Sequence, residues 1–241
     1  MPRRWRSWPA WWRPRALPVA EARRPALLIA AMGRSGSTML ANWLTTPPTH
    51  FVLHEPNLER DRRTRLTVLQ LEAWGLDLDE VQARQWGVKE VEADKSAAFL
   101  ERWRPERVIL CVRDMREVAL SLFEKHRRQG NLDRYPDSWA SEYCAREAAG
   151  LVALADRLER DGPQSRVARY EDFARDETER AAIAAFVGWP GGGDERALLE
   201  RIDRGFEGRQ RSERELSGAE MALADAVAEQ CGAYQQRFGY R

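Results

Sequence analysis

Gly33, Arg34, Ser35, Gly36, Ser37 and Thr38 place two glycines, three hydroxyls and one guanidinium in a single short turn. The chemistry open to such a turn is anion binding. Glycine lets the backbone turn tightly and approach a ligand closely, while the hydroxyls stand beside helical N–H groups that have no intrahelical partner. Phosphate or sulfate binds such a helix start. Arg34 adds a fixed positive charge and a planar fork of donors. The turn is not a Walker A loop, which needs four residues between its glycines and a Lys before the Ser or Thr; here only Arg34 and Ser35 lie between the glycines. Farther along stand further groups of interest: the carboxylate of Glu55, the cations Lys89 and Arg113, and the Tyr170 ring.

These residues need a scaffold, and the intervening pattern describes one. Residues 26–32 carry no charge, which suits a central parallel strand covered on both faces. A helix is predicted over residues 37–44, closed by Pro47 and Pro48. A short strand over 51–53 follows, ending in His54, Glu55 and Pro56. A carboxylate at a strand end about twenty residues beyond an anion loop is in reach of that loop if the two strands are neighbours.

Helices are predicted over 58–74 and 79–85, with Leu66, Leu69 and Ala73 on one face, then a strand over 86–91 carrying Lys89 and a helix over 93–103. The apolar strand 108–112 leads directly into Arg113 and Asp114. Asp114 and Glu117 have capping-box spacing, and Met115, Val118 and Leu122 form an apolar stripe, predicting a helix to about residue 127. Further helices are expected over 139–158 and 178–187, with a last strand over 166–170 between them. A closing helix opens at Ser217, with Glu220 three residues on. Strands alternating with helices imply a parallel sheet, and ligands then bind at the carboxyl ends of its strands. Residues 33–38, Glu55, Lys89, Arg113 and Tyr170 all fall at or near such ends.

At 241 residues the chain suits one α/β domain over 26–241, preceded by a basic arm over 1–25. The arm holds seven Arg against one Glu, a net +6; the formal charge of the whole chain is +1, which leaves −5 for the rest. No global basic field therefore argues for nucleic acid. The Trp and Arg residues of the arm suit docking to a partner or an acidic surface. Its arginines break up any signal-peptide core, and no apolar run reaches the roughly 20 residues of a membrane helix. Cys111, Cys144 and Cys231 are too far apart for a metal or disulfide framework, so a cytoplasmic setting is expected.

Taken together, these motifs resemble the sulfotransferases that use 3′-phosphoadenosine 5′-phosphosulfate (PAPS), in the branch acting on carbohydrates and tyrosylproteins. GRSGST is similar to that family's loop for the 5′-phosphosulfate. VRDMREVALSLF, residues 112–123, resembles its 3′-phosphate element, with Arg113 and Ser121 at the spacing that holds the phosphate. HEP at 54–56 is similar to a segment holding a carboxylate base, RYED at 169–172 resembles a motif whose Tyr lies beside the adenine, and residues 216–240 resemble the family's closing helix and terminal GY.

The resemblance implies a three-layer α/β/α fold with a central parallel sheet, like that of P-loop nucleotide kinases. It implies PAPS as co-substrate, its bisphosphate PAP as product, no metal, and a glycan or small-molecule hydroxyl as acceptor. Glu55 would be the base, Arg34 and Lys89 would stabilise the transferring group, and Gly33 to Thr38, Arg113, Ser121 and Tyr170 would hold the nucleotide. Arg209, with Arg211 beside it, is the candidate for a basic segment over the 3′-phosphate. Met115 stands where the family commonly has Pro, and no His is an obvious counterpart of the catalytic His of the phenol and steroid enzymes. Two other readings are a P-loop-type nucleotide or small-molecule kinase, which needs metal ligands and a loop Lys, and a non-catalytic nucleotide-binding module that recruits a partner through the arm.

Overall fold

In the computed structural model, residues 24–56, 64–130, 134–193 and 217–240 are described. Most of the predicted arm, together with Arg209 and Arg211, lies outside them. Five parallel strands form one sheet in the order β2-β3-β1-β4-β5: β1 Leu27–Ala31, β2 His50–His54, β3 Gln85–Glu90, β4 Arg107–Val112 and β5 Gln164–Arg169. The expected α/β architecture with a central parallel sheet is present.

The composition of β1 follows from its place in the middle. Leu28, Ala30 and Met32 face one core, while Leu27, Ile29 and Ala31 face another on the opposite side of the sheet. Each side chain is fully buried, and full burial of a Leu or Ile is worth about 1.5–3 kcal/mol. A polar residue on either face would have no water, hence the unbroken apolar run. The edge strand β5 is mostly polar and partly exposed, which discourages pairing with a further strand.

The first core packs α4 Ala93–Trp103, α5 Met115–Arg128, α6 Asp137–Asp161 and the closing helices Gly218–Gln230 and Gly232–Arg237 against the sheet. On the other face lie α1 Ser37–Leu44, α7 Tyr170–Arg175 and α8 Glu177–Val187. The chain thus leaves β1 toward one face and β3 toward the other. Their carboxyl ends border a crevice at a topological switch point, the favoured ligand position in open α/β sheets.

Several local expectations change. Strand β2 is not a neighbour of β1, because β3 lies between them. The Asp114 carboxylate accepts from the Arg116 N–H at 2.8 Å and Glu117 turns instead to Arg113, so α5 has a cap but no capping box. The predicted box at Ser217 and Glu220 is formed. Tyr170 opens a short helix, where the sequence suggested the end of a strand. In the 58–85 region the described helices are α2 Arg65–Trp74 and α3 Leu78–Gln82.

Candidate active site

The turn after β1 takes its shape from two departures from ordinary backbone within three residues. Arg34 has φ 76° and Gly36 has φ 85°, the latter as the residue preceding the first turn of α1. Glycine is needed at 36 for a second reason: a Cβ there would lie 2.2 Å from Cδ2 of Tyr170. Left-handed backbone of this kind turns successive N–H groups to one side, the geometry of an anion nest. Ser37 and Thr38 add first-turn N–H groups of α1, and no acidic residue in that turn offsets the positive end of the helix. Ser35 closes the turn, its hydroxyl donating to the Met32 carbonyl at 2.8 Å and its N–H to the same oxygen at 3.3 Å.

Positive φ in a residue with a side chain is strained and clusters at functional sites. Among the described residues Arg34, Glu55 and Arg104 show it. Arg104 ends α4; the other two were singled out from the sequence for chemistry.

Arg113 follows β4 and reaches back to the turn, its Nη1 donating to the Arg34 carbonyl at 3.2 Å. The Arg34 side chain in turn donates through Nε to Ser121 Oγ at 2.9 Å, two turns into α5. Arg113 also pairs with Glu117 at 3.1 Å and lies over the Tyr170 ring, 4.5 Å from its centroid. Its backbone is held by the closing helices, since Tyr234 Oη accepts from the Arg113 N–H at 3.2 Å. Arg113 Nε is buried without a hydrogen-bond partner among the described residues, an open donor beside the turn that an anion would satisfy. Gly33 to Thr38, Arg113, Ser121 and Tyr170 are therefore one cluster, built from three strand ends and two helix starts.

Glu55 and Lys89 form a second cluster on the other side of the turn. Lys89 sits in β3, level with Ile29 of β1 and His54 of β2, and is 1% exposed. Its Nζ lies 2.5 Å from Glu55 Oε1, and the Glu55 N–H donates to the Lys89 carbonyl at 2.7 Å. Strand β3 thus supplies the link between Glu55 and the turn that direct pairing of β1 with β2 would have given. A buried ammonium needs a partner, and Glu55 answers that need while keeping about a third of its side chain exposed.

Sequence reasoning missed Glu90, the last residue of β3, which is 5% exposed. Burial first, then the negative charge of Glu55, raises its pKa to about 7, with Lys95 and Lys89 partly opposing the shift. A strand-end Glu beside the expected Lys89 was the available signal. It also missed Tyr143 in α6, whose hydroxyl accepts from the Gly33 N–H at 2.9 Å. Nothing in the local pattern marks a helix residue 110 positions away. Among the described residues, no group of three or more His, Cys, Asp or Glu side chains converges, and no helix is long and apolar enough to cross a membrane.

Solved structures with a similar arrangement include the sulfotransferase domain of the olefin synthase from Synechococcus PCC 7002. It shares 17% identity over 92% of this chain and 98% of its own, with a TM-score of 0.51. A sulfotransferase from Alicyclobacillus acidocaldarius gives 16% identity, 88% and 99% coverage and a TM-score of 0.49. Mouse sulfotransferase SULT7A1, solved with PAP, gives 12%, 76% and 63% coverage and 0.43. No protein-family model and no curated protein matches the chain. What the likeness to the olefin synthase domain carries is the fold: a parallel sheet between helical layers.

Proposed function

We propose that this chain is a sulfotransferase, moving a sulfuryl group from PAPS to a hydroxyl of a glycan or small-molecule acceptor. The observation that supports it best is the contact of Arg34 with Ser121 and of Arg113 with the Arg34 carbonyl. It joins the turn resembling a 5′-phosphosulfate loop to the element resembling a 3′-phosphate site. That the structure sharing the fold is a sulfotransferase domain agrees with the reading.

In this reading the N–H groups of Gly36, Ser37 and Thr38 and the Arg34 guanidinium hold the phosphosulfate. Arg113 and Ser121 hold the 3′-phosphate, with Tyr170 packed between Arg113 and the turn. The acceptor oxygen attacks sulfur in line, the bond from sulfur to the bridging phosphate oxygen breaks, and the bisphosphate leaves with that electron pair. Glu55 takes the acceptor proton. Lys89 and Arg34 stabilise charge gathering on the peripheral and leaving oxygens, and donors fixed in advance are worth about 3 kcal/mol each.

The test is thermal stability with adenosine 3′,5′-bisphosphate, ADP, or ATP with Mg²⁺. Ligand at about 100 times its Kd adds roughly 2.7 kcal/mol. Stabilisation by the 3′,5′-bisphosphate alone is expected. Stabilisation by ATP with Mg²⁺ alone would turn the assignment to a kinase, and no response to any of the three would overturn nucleotide binding altogether.

A further inference from the structure

The Tyr143 hydroxyl occupies an unusual position. It accepts from the N–H of Gly33, the first residue of the anion turn, at 2.9 Å, and donates to the Val91 carbonyl, just past the end of β3, at 3.4 Å. One oxygen thus bridges the two strand exits that part toward opposite faces at the switch point. The approach depends on glycine, since a Cβ at 33 would lie 2.9 Å from the hydroxyl. The same helix grips the chain again one turn on, where Glu147 accepts from the Ala93 N–H at 2.8 Å. Residues 143 and 147 share a helix face, so α6 holds the β3–α4 turn at Val91 and at Ala93. The Tyr143 ring is fixed by stacking on Trp139, 5.2 Å between centroids at 17°, with the Arg146 guanidinium 5.5 Å from its centroid. Burial raises the Tyr143 pKa above its ordinary value, so the hydroxyl keeps the proton it donates.

We infer that Tyr143 is a positioning residue for the proposed transfer: its hydroxyl couples the turn that holds the donor to the strand end that presents Lys89 and, through it, Glu55. The inference rests on the sulfotransferase reading for its chemistry, although the bridge itself does not. An anion turn that ends β1 and a cation carried by β3 belong to different peptide segments. The β1–β3 ladder holds them as far as Ala30 and Glu90; past that rung their separation is set by what crosses between the two exits, and misplacement by about 1 Å costs on the order of 100-fold in rate. Because Gly33 gives its N–H to the Tyr143 hydroxyl and Ser35 gives its own to the Met32 carbonyl, neither of these two N–H groups is left for an anion.

The test is Tyr143→Phe, which keeps the stacked ring and removes only the bridging oxygen. Hydrogen exchange is read at residues 33–38 and 90–93, with and without adenosine 3′,5′-bisphosphate. In the unaltered chain the bisphosphate is expected to slow exchange in both segments. In the variant it should slow exchange at 33–38 alone, with bisphosphate affinity within about threefold of the original and release of sulfate from PAPS to water slowed about 10- to 100-fold. Protection of 90–93 by the bisphosphate in the variant, or an unchanged rate, would overturn the coupling. If the variant is too unstable to handle, the unaltered chain decides alone: bisphosphate that protects 33–38 and leaves 90–93 untouched overturns it. If the bisphosphate does not bind the unaltered chain, the sulfotransferase reading fails by itself. The bridge is then judged from ligand-free exchange, where faster exchange confined to the two segments in the variant supports it and a uniform change overturns it.

Discussion

Arg34 Nε and Ser121 Oγ lie 2.9 Å apart although 87 residues separate them in the chain. The contact spans the gap between the turn after β1 and the second turn of α5, while Arg113 crosses the same gap in the other direction to the Arg34 carbonyl. Side chains at a shared anion site are expected to interlock in this way, each holding the other's donors in place.

Replacing Arg113 with Ala should therefore damage nucleotide binding more than folding. A hydrogen bond to a charged group is worth about 1.5–3 kcal/mol, so calorimetric titration with adenosine 3′,5′-bisphosphate should show Kd raised about 10- to 100-fold. An unaltered Kd would remove Arg113 from the 3′-phosphate site.

Glu55→Gln separates two roles. Loss of the base should lower transfer about 100- to 10,000-fold while the bisphosphate binds as before. Lys89, 1% exposed, also loses its carboxylate partner, so a fall in Tm is expected as well. Full activity with an intact Tm would dismiss both roles.

Glu90 predicts a pH dependence of stability. Its pKa is about 7 in the fold against an ordinary 4.5. Between those values the folded chain binds more protons than the unfolded one, so the group lowers stability as pH rises through that window. The facing charges are Glu55 from the end of β2, Lys89 of its own strand, and Glu92 and Lys95 at the start of α4. Glu90→Gln should be nearly neutral in urea unfolding near pH 4.5 and stabilising above pH 7. Equal effects at both ends would show that the carboxyl is not held this way.

Gly36→Ala tests the turn itself. Left-handed backbone costs a residue with a side chain roughly 1–2 kcal/mol, and the new methyl group must also displace the Tyr170 ring. A lower Tm and loss of bisphosphate binding are expected. Adding Tyr170→Ala should recover part of the Tm, because it relieves the clash and leaves the backbone strain; no recovery would place the damage elsewhere.

What the sequence determined by itself is the part of this protein written in short, contiguous patterns. The charge-free run of residues 26–32 specified a strand buried on both faces, because no polar side chain could be tolerated on either. Ser217 and Glu220 specified a helix start, because their hydrogen bonds close within four residues. The tight turn after β1 was legible for the same reason: its glycines and hydroxyls act on neighbouring peptides. Only the tertiary structure decided which distant groups meet. It set β3 between β1 and β2, so that Glu55 pairs with Lys89. It turned Glu117 from a cap into a partner of Arg113, and it brought the Tyr143 hydroxyl to Gly33 from a helix whose local pattern says nothing of it. Strand order and helix docking fix those distances, and both are settled by burying two apolar faces of one sheet, a property of the whole chain that no single stretch contains.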